Sequence, residues 1–187
     1  MIGVVLAGGA SNRFGGRPKG LVLLAGKPLA SHVSQVLESF CDQVMIEAAA
    51  GVGYESLGLP LCPALPSYAG KGPLAGIAAG LAAFDGDELV AFAPCDMPLL
   101  KPEVYEVLRA SCLDAVGAYA RTSAGEEPLV CVLRAKILPG VLDALGLSDL
   151  PRTHVVLDAG GARAVDFSDA SVFRNINTPA DLLRLEN

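Results

Sequence analysis

Short apolar runs alternate with longer segments of helical periodicity, and this alternation limits the possible folds more than any other feature of the sequence. Met1–Leu6 and Leu89–Pro94 are apolar runs of strand length without polar alternation, which is typical of strands buried on both faces. Pro28–Phe40 lies between them and repeats apolar residues at helical spacing. Units of this kind stack into a parallel or mostly parallel sheet, so we predict the α/β class.

The rest of the chain continues this pattern without an internal repeat or a dividing linker. The segment Ala48–Lys71 is rich in Gly and Pro and is predicted to be mostly loop. A chain of 187 residues buries roughly 70% of its unfolded surface, enough for one core, so we expect one domain over residues 1–187. The remaining predicted elements are strands at Val44–Ile46 and Ala115–Tyr119, helices at Gly72–Phe84, Pro102–Ser111 and Pro179–Leu185 (capped by Thr178), and further segments of the alternation at Leu129–Leu133, Ala135–Leu145 and Arg152–Ala159.

Composition and charge exclude several classes of protein. The net charge of -6 argues against a protein that wraps nucleic acid, because phosphate neutralisation needs clustered Lys and Arg. No apolar run approaches the roughly 20 residues that span a bilayer, and no secretory signal is readable, so we expect a cytoplasmic protein with no membrane partner. The five cysteines form no C-x-x-C pair and are expected to be reduced core thiols.

The predicted loop after the first strand, Leu6–Gly20, is rich in glycine, and its residues 8–19 are called the glycine loop below. Ligands of open α/β sheets bind beyond the carboxyl ends of the strands, where glycines let backbone N–H groups approach a phosphate. Arg13, Arg17 and Lys19 add positive charge that the acidic chain otherwise lacks. The loop matches neither G-x-x-x-x-G-K-[ST] nor G-x-G-x-x-G. It is a phosphate site or a flexible connection with solvated charges.

A carboxylate and two amides are further site candidates. Asp96 lies two residues beyond Leu89–Pro94, at the edge predicted for the glycine loop, where one carboxylate together with phosphate oxygens suits Mg²⁺; the alternative is a turn cap ahead of Pro98. Asn175 and Asn177 flank Ile176 and would share one face of a strand, facing the metal or the acceptor, or they cap the last helix locally.

Gly72 and Pro73 begin a predicted helix whose N–H groups can meet a ribose or phosphate oxygen, although helix initiation by proline explains them equally well. Tyr54, His32 and His154 have no matched partner in the sequence, and we assign them structural roles.

The segment L-A-G-G-x-S-x-R-[MF]-G followed by a lysine resembles the signature of the molybdenum cofactor guanylyltransferases and their related nucleotidyltransferases. The resemblance implies a three-layer α/β/α Rossmann-like nucleotidyltransferase fold with a mostly parallel central sheet. In order along the chain, the further matching segments are Gly26–Leu29, Gly72–Ile77, Pro94–Pro98, Ala164–Asp169 and Asn175–Pro179.

By this resemblance the chain would transfer GMP from GTP to the phosphate of molybdopterin and release pyrophosphate, with Mg²⁺ as cofactor. Leu6, Ala7 and Gly8 would make backbone contacts to the nucleotide. Gly9 and Arg13 would surround the triphosphate, and Lys19 would neutralise the phosphates during transfer. Asp96 would hold the metal, so that Lys19, Arg13 and Asp96 are the catalytic candidates. A molybdoenzyme or a cofactor-insertion protein is the further partner implied.

The sequence departs from the family pattern at two positions that the guanylyltransferases associate with the guanine nucleotide. Their Asn after the second strand corresponds to Glu47 here, which we retain as a nucleotide contact, and no acid precedes Gly72 between Glu55 and Asp85. Base selection is therefore expected from backbone carbonyls or another side chain. The alternatives are a cytidylyltransferase of the same fold, or another nucleotidyltransferase with molybdopterin or a different phosphorylated acceptor, and, outside enzymes, a nucleotide-binding regulatory or cofactor-carrier module.

Overall fold

A central sheet of seven strands organises the molecule. The computed structural model describes residues 1–8, 14 and 16–186, without the side chain of residue 186. The strands of these residues are β1 (Ile2–Leu6), β2 (Leu23–Leu24), β3 (Lys27–Pro28), β4 (Gln43–Glu47), β5 (Leu61–Cys62), β6 (Leu89–Pro94), β7 (Gly117–Thr122), β8 (Gly125–Arg134) and β9 (Arg163–Phe167). The α-helices are α1 (Leu29–Glu38), α2 (Pro73–Leu81), α3 (Pro102–Ala110), α4 (Leu138–Leu147), α5 (Thr153–Ala159) and α6 (Pro179–Glu186).

The order of the sheet is β5-β4-β1-β6-β8-β7-β9, and β2 with β3 forms a separate small hairpin. Strand β1 pairs in parallel with both β4 and β6, and β4 pairs in parallel with β5. Strand β8 is antiparallel to β6 on one side and to β7 on the other, while β9 is parallel to β7. The prediction of a mostly parallel sheet is confirmed.

Helices cover both faces of the sheet because successive residues of its buried strands point to opposite sides. Val5 packs with Val33 of α1 and Tyr105 of α3 in one core cluster. Val4 packs with Leu74 of α2 and Leu145 of α4 in another. The layers are therefore helix, sheet and helix, which confirms the predicted α/β/α architecture.

Local sequence signals set several helix ends. Thr178 Oγ1 accepts the Asp181 N–H at 3.3 Å, and the Asp181 carboxylate accepts the Thr178 N–H at 2.8 Å, so the predicted cap of the last helix is present in a reciprocal form. The predicted helix over Ala135–Leu145 begins instead as a 3-10 turn and becomes α4 only from Leu138, where Pro139 occupies the first turn and needs no N–H partner.

The cysteines and the helix lengths agree with the composition. All five cysteines are free thiols, and four of them are buried. Within the part of the chain that the structure describes, no helix has both the length and the apolar character needed to cross a membrane.

Candidate active site

Three parallel strands end side by side at one edge of the sheet. Leu6 at the end of β1 stands in register with Glu47 of β4 and with Pro94 of β6. The glycine loop leaves this edge after β1, and Asp96 follows β6 at the same edge. The carboxyl ends of parallel strands are where α/β folds bind ligands, so this edge is the candidate site.

Lys19 and Asp96 form an ion pair across this edge. Lys19 begins a short 3-10 turn, Lys19–Leu21, and its ammonium contacts one carboxylate oxygen of Asp96. The same ammonium donates to Asn177 Oδ1 at 2.6 Å. Residues far apart in the sequence thus place a cation, a carboxylate and an amide oxygen within one cluster, called the Lys19 cluster below.

Asn175 completes the surroundings of Asp96. With its amide nitrogen facing the carboxylate, the side chain donates to Oδ1 at 3.0 Å and to Oδ2 at 3.2 Å. The Ile176 N–H donates to the Asp96 carbonyl at 2.8 Å, and the Ile176 side chain is fully buried. The segment forms no strand, but it brings both amides to the Lys19–Asp96 pair while the isoleucine anchors it.

The donor atoms of this cluster suit a hard divalent cation. Asp96 keeps 17% of its side chain exposed, and Asn177 adds an amide oxygen beside it. Among the described residues no group of three or more His, Cys, Asp or Glu could hold a metal ion. One carboxylate and one amide oxygen fit Mg²⁺ that is bound together with a nucleotide, because Mg²⁺ usually takes one or two carboxylates plus phosphate oxygens and waters.

Glu47 is the second carboxylate at this edge, and it is buried. Its side chain is 5% exposed, and Oε2 accepts the Gly8 N–H at 3.2 Å. Burial raises the pKa of this carboxyl above its ordinary value, and the Gly8 N–H opposes part of that rise. A Cβ on Gly8 or on Gly76 of α2 would lie only 2.7 Å or 3.0 Å from Oε2, so the carboxylate fills the space between the glycine loop and α2.

The start of α2 is fixed by Gly72 and Pro73 and by the contacts of Lys71. Gly72 precedes the helix with a left-handed φ of 76°, and Pro73 occupies the first turn. Lys71 donates to the Leu145 carbonyl at 2.8 Å and pairs with Asp149 at 3.3 Å. This helix start is compatible with both interpretations of Gly72 and Pro73, as residues that initiate the helix or as residues that contact the nucleotide.

Two predicted contacts, Gly9 and Arg13, lie outside the described residues. Of the predicted backbone contacts, Leu6 ends β1, Ala7 follows it, and Gly8 begins the loop. The Ala7 N–H donates to the Glu47 carbonyl at 3.0 Å. These three residues therefore lie beside Glu47.

Glu127 is an acid that the sequence analysis did not single out and whose charge interacts with that of Asp96. The pairing of β7 with β8 shifts register between Tyr119, opposite Cys131, and Ala120, opposite Glu127. Bulges of this kind change the direction of a side chain next to many active sites. Burial and, after it, the negative charge of Asp96 raise the pKa of Glu127. Its position in a polar stretch after Gly125 gave no signal, because the register shift in the pairing of β7 with β8 is not visible in the sequence.

A cation, a carboxylate and two amides gathered at the carboxyl edge of an α/β/α sheet stand where such folds bind ligands, and the comparison with known proteins defines the class. The chain is a nucleotidyltransferase. It belongs to the family described as the MobA-like NTP transferase domain, whose model matches residues 3–161.

Relatives and solved structures agree over nearly the whole chain. A molybdenum cofactor guanylyltransferase of Yersinia pseudotuberculosis is 36% identical over 181 residues, which cover 96% of this chain and 91% of the relative. Molybdopterin-guanine dinucleotide biosynthesis protein A of Archaeoglobus fulgidus superposes with a TM-score of 0.80 at 27% identity, over 100% of this chain and 97% of that one. A nucleotidyl transferase of Methanothermobacter has a TM-score of 0.72 at 22% identity, covers 99% of this chain and 95% of its own, and shows the shared fold.

Proposed function

We propose that the chain transfers GMP from GTP to the phosphate of molybdopterin and releases pyrophosphate in the cytoplasm. Residues 1–187 would act as one nucleotidyltransferase domain. The names of the Yersinia and Archaeoglobus proteins support the substrates. The observation that carries the proposal is the Lys19 cluster, because it joins the glycine loop to the carboxylate beyond β6.

The reaction requires no nucleophile from the protein. A phosphate oxygen of the acceptor attacks the α-phosphorus of GTP, and the bond from that phosphorus to the α,β-bridging oxygen breaks. Pyrophosphate leaves with the electron pair of that bond. Lys19 would place its ammonium against this developing charge, which is the form of catalysis that dominates phosphoryl transfer. Gly9 and Arg13 are proposed to hold the other phosphates of GTP.

Asp96 would hold Mg²⁺, with the Asn177 amide oxygen at hand as a further ligand. Mg²⁺ supplies charge neutralisation at the phosphates when it is bound. Asn175 would keep the carboxylate oriented through its two amide contacts. Lys19 contacts oxygens of both Asp96 and Asn177, so the ammonium and the metal would draw on the same oxygens.

Selection of the base is proposed to rest on backbone groups near Leu6 and around Glu47. No acid lies between Glu55 and Asp85, and the Glu47 carboxylate already accepts the Gly8 N–H. A base site made of several backbone contacts should lose little through one side-chain change, whereas a lost side-chain acceptor typically costs about 1–3 kcal/mol. We therefore expect GTP to be preferred over CTP and ATP.

The test compares pyrophosphate release from the four NTPs with molybdopterin as acceptor, in the wild type, Glu47→Ala and Glu47→Gln. We expect a preference for GTP that falls less than about tenfold in either variant. Equal use of all four nucleotides, or a preference for CTP, would remove the guanylyl assignment and favour a cytidylyltransferase or a broader enzyme. Nucleotide binding without any pyrophosphate release would instead favour a regulatory or carrier module.

A further inference from the structure

The Tyr54 side chain extends from a surface turn to both ends of the glycine loop. Its side chain is almost fully buried, at 2% exposure. The Gly20 N–H donates to its hydroxyl oxygen at 3.1 Å, and the hydroxyl lies 3.5 Å from the Ala7 carbonyl, to which it donates. Ala7 precedes the glycine loop and Gly20 follows Lys19. One hydroxyl therefore joins the points at which the loop begins and ends.

Gly20 makes this contact possible because it has no side chain. A Cβ at this position would lie 2.9 Å from the Tyr54 hydroxyl oxygen and 2.9 Å from its Cε1. Real Cβ atoms do not approach that closely, so any other residue would push the backbone away from the tyrosine. The close approach to Tyr54 explains why position 20 is a glycine, and this explanation does not depend on phosphate binding by the loop.

Tyr54 is fixed by its own turn, independently of the glycine loop. Gly53 takes a left-handed φ of 100° just before the 3-10 turn Tyr54–Leu57. The Glu55 carboxylate accepts the N–H groups of Gly51, at 2.6 Å, and of Gly53, at 3.1 Å. Burial raises the pKa of the Tyr54 hydroxyl, so it stays neutral and can accept and donate at once, as its two contacts require.

We infer that Tyr54 is a positioning residue that closes the neck of the glycine loop and thereby holds Lys19 against Asp96. Gly20 is the residue next to Lys19, so fixing its backbone limits where the ammonium can reach. The Cys95 N–H donates to the Leu6 carbonyl at 3.0 Å, which ties the residue before Asp96 to the same neck. The effect of Tyr54 on turnover rests on the proposed function, whereas its effect on the backbone at the ends of the loop does not.

Tyr105 offers a matched control for the loss of one buried hydroxyl. It is fully buried, and its hydroxyl donates to the Phe92 carbonyl at 2.9 Å, in the core between α3 and the sheet. Tyr54→Phe and Tyr105→Phe each remove one buried hydroxyl and its hydrogen bond to a carbonyl, and Tyr54→Phe also removes the acceptor of the Gly20 N–H. We expect kcat to fall about tenfold in Tyr54→Phe, with the KM for GTP changing less than about threefold. Both constants should stay within about twofold of wild type in Tyr105→Phe.

Amide hydrogen exchange of the free protein tests the neck without any substrate. The Gly20 amide should exchange at least about tenfold faster in Tyr54→Phe than in wild type and remain unchanged in Tyr105→Phe. Equal Gly20 exchange in the two variants, or an equal effect of the two on kcat, would overturn the inference. A wild-type protein without turnover would contradict the proposed function alone, and the exchange comparison would still decide the role of Tyr54.

Discussion

Two carboxylates occupy the same edge of the sheet, and their surroundings are opposite. Asp96 contacts the Lys19 ammonium and the Asn175 amide, and part of its side chain reaches solvent. Glu47 is almost fully buried, accepts the Gly8 N–H and has a raised pKa. A carboxylate with a cation, an amide and access to solvent can exchange its partners for a metal and phosphates. A carboxylate enclosed by two glycines is suited to shape a loop.

From this comparison we expect Asp96 to take part in the transfer reaction and Glu47 to shape the loop beside it. Removing Asp96 should therefore stop transfer, whereas neutralising Glu47 should change stability more than rate. Three substitutions test this division, from the one with the largest expected effect to the one with the smallest.

Asp96→Asn should lower kcat on the order of 10³-fold, because it removes the proposed metal ligand and the partner of Lys19 while keeping the shape of the side chain. GTP binding should weaken much less, since loop amides and basic residues still meet the phosphates. Pyrophosphate release measured against Mg²⁺ concentration checks this. Asp166→Asn is the control, because Asp166 is exposed and pairs with Arg121 on β7. An unchanged response to Mg²⁺ in Asp96→Asn would refute the assignment.

Lys19→Met should lower kcat on the order of 10²-fold, because it removes the ammonium and keeps an apolar side chain of similar length. The free energy of unfolding should change by about 1 kcal/mol or less, since the pair is partly solvated. Turnover and urea denaturation check the two effects. Lys136→Met removes the exposed pair with Asp87 and should leave turnover unchanged. Near wild-type turnover in folded Lys19→Met would show that the Lys19 cluster is not the transfer site.

Glu47→Gln should change kcat/KM less than about threefold, because the amide oxygen can still accept the Gly8 N–H. Its stability should depend on pH in a defined direction. A raised pKa means that the protonated carboxyl favours the folded state, so the wild type loses stability as pH rises through that pKa. Tm should therefore be higher in Glu47→Gln than in wild type at pH 8. This difference in Tm should shrink as the pH falls toward the range in which carboxyl groups ordinarily titrate.

Glu55→Gln gives the opposite sign and serves as the control for that measurement. Hydrogen bonds from the Gly51 and Gly53 backbone lower the pKa of Glu55, so its ionised form supports the fold above its ordinary pKa and that support is lost as pH falls. Glu55→Gln should lower Tm at pH 8. If both variants shifted Tm in the same direction across the pH range, the contrast between an enclosed and a solvated carboxylate would fail.

Among the strands, those that are mostly buried were the ones that the sequence could predict. Leu89–Pro94 was predicted as a strand at the bounds that β6 has, because its apolar run has no polar interruption. The start of β8 at Gly125 was missed, since Glu126 and Glu127 look like turn residues and pair with β7 only near its end. The edge strand β9 was not assigned as a strand, because both Arg163 and Asp166 are exposed.

The same distinction applies to the site. Lys19 and Asp96 stand at fixed offsets from predicted strands, so their meeting at one edge could be anticipated from topology alone. Tyr54 lies within a long predicted loop, where no periodicity indicates which way a side chain points. Its hydroxyl meets Gly20 and Ala7 only because the turn at Gly53 aims the ring inward. Contacts that depend on the path of a loop cannot be predicted from the spacing of residues in the sequence.

The position of β8 between β6 and β7 has a consequence for synthesis on the ribosome. Strand β6 emerges early and β7 follows, yet neither has its neighbour on that side until Gly125–Arg134 has been translated. A nascent chain ending before Gly125 therefore carries two open strand edges, and unpaired edges are templates for association with other chains. The late strand joins both at once, so β6 and β7 become linked in a single event, and β9 adds to the outer edge of β7 only after that.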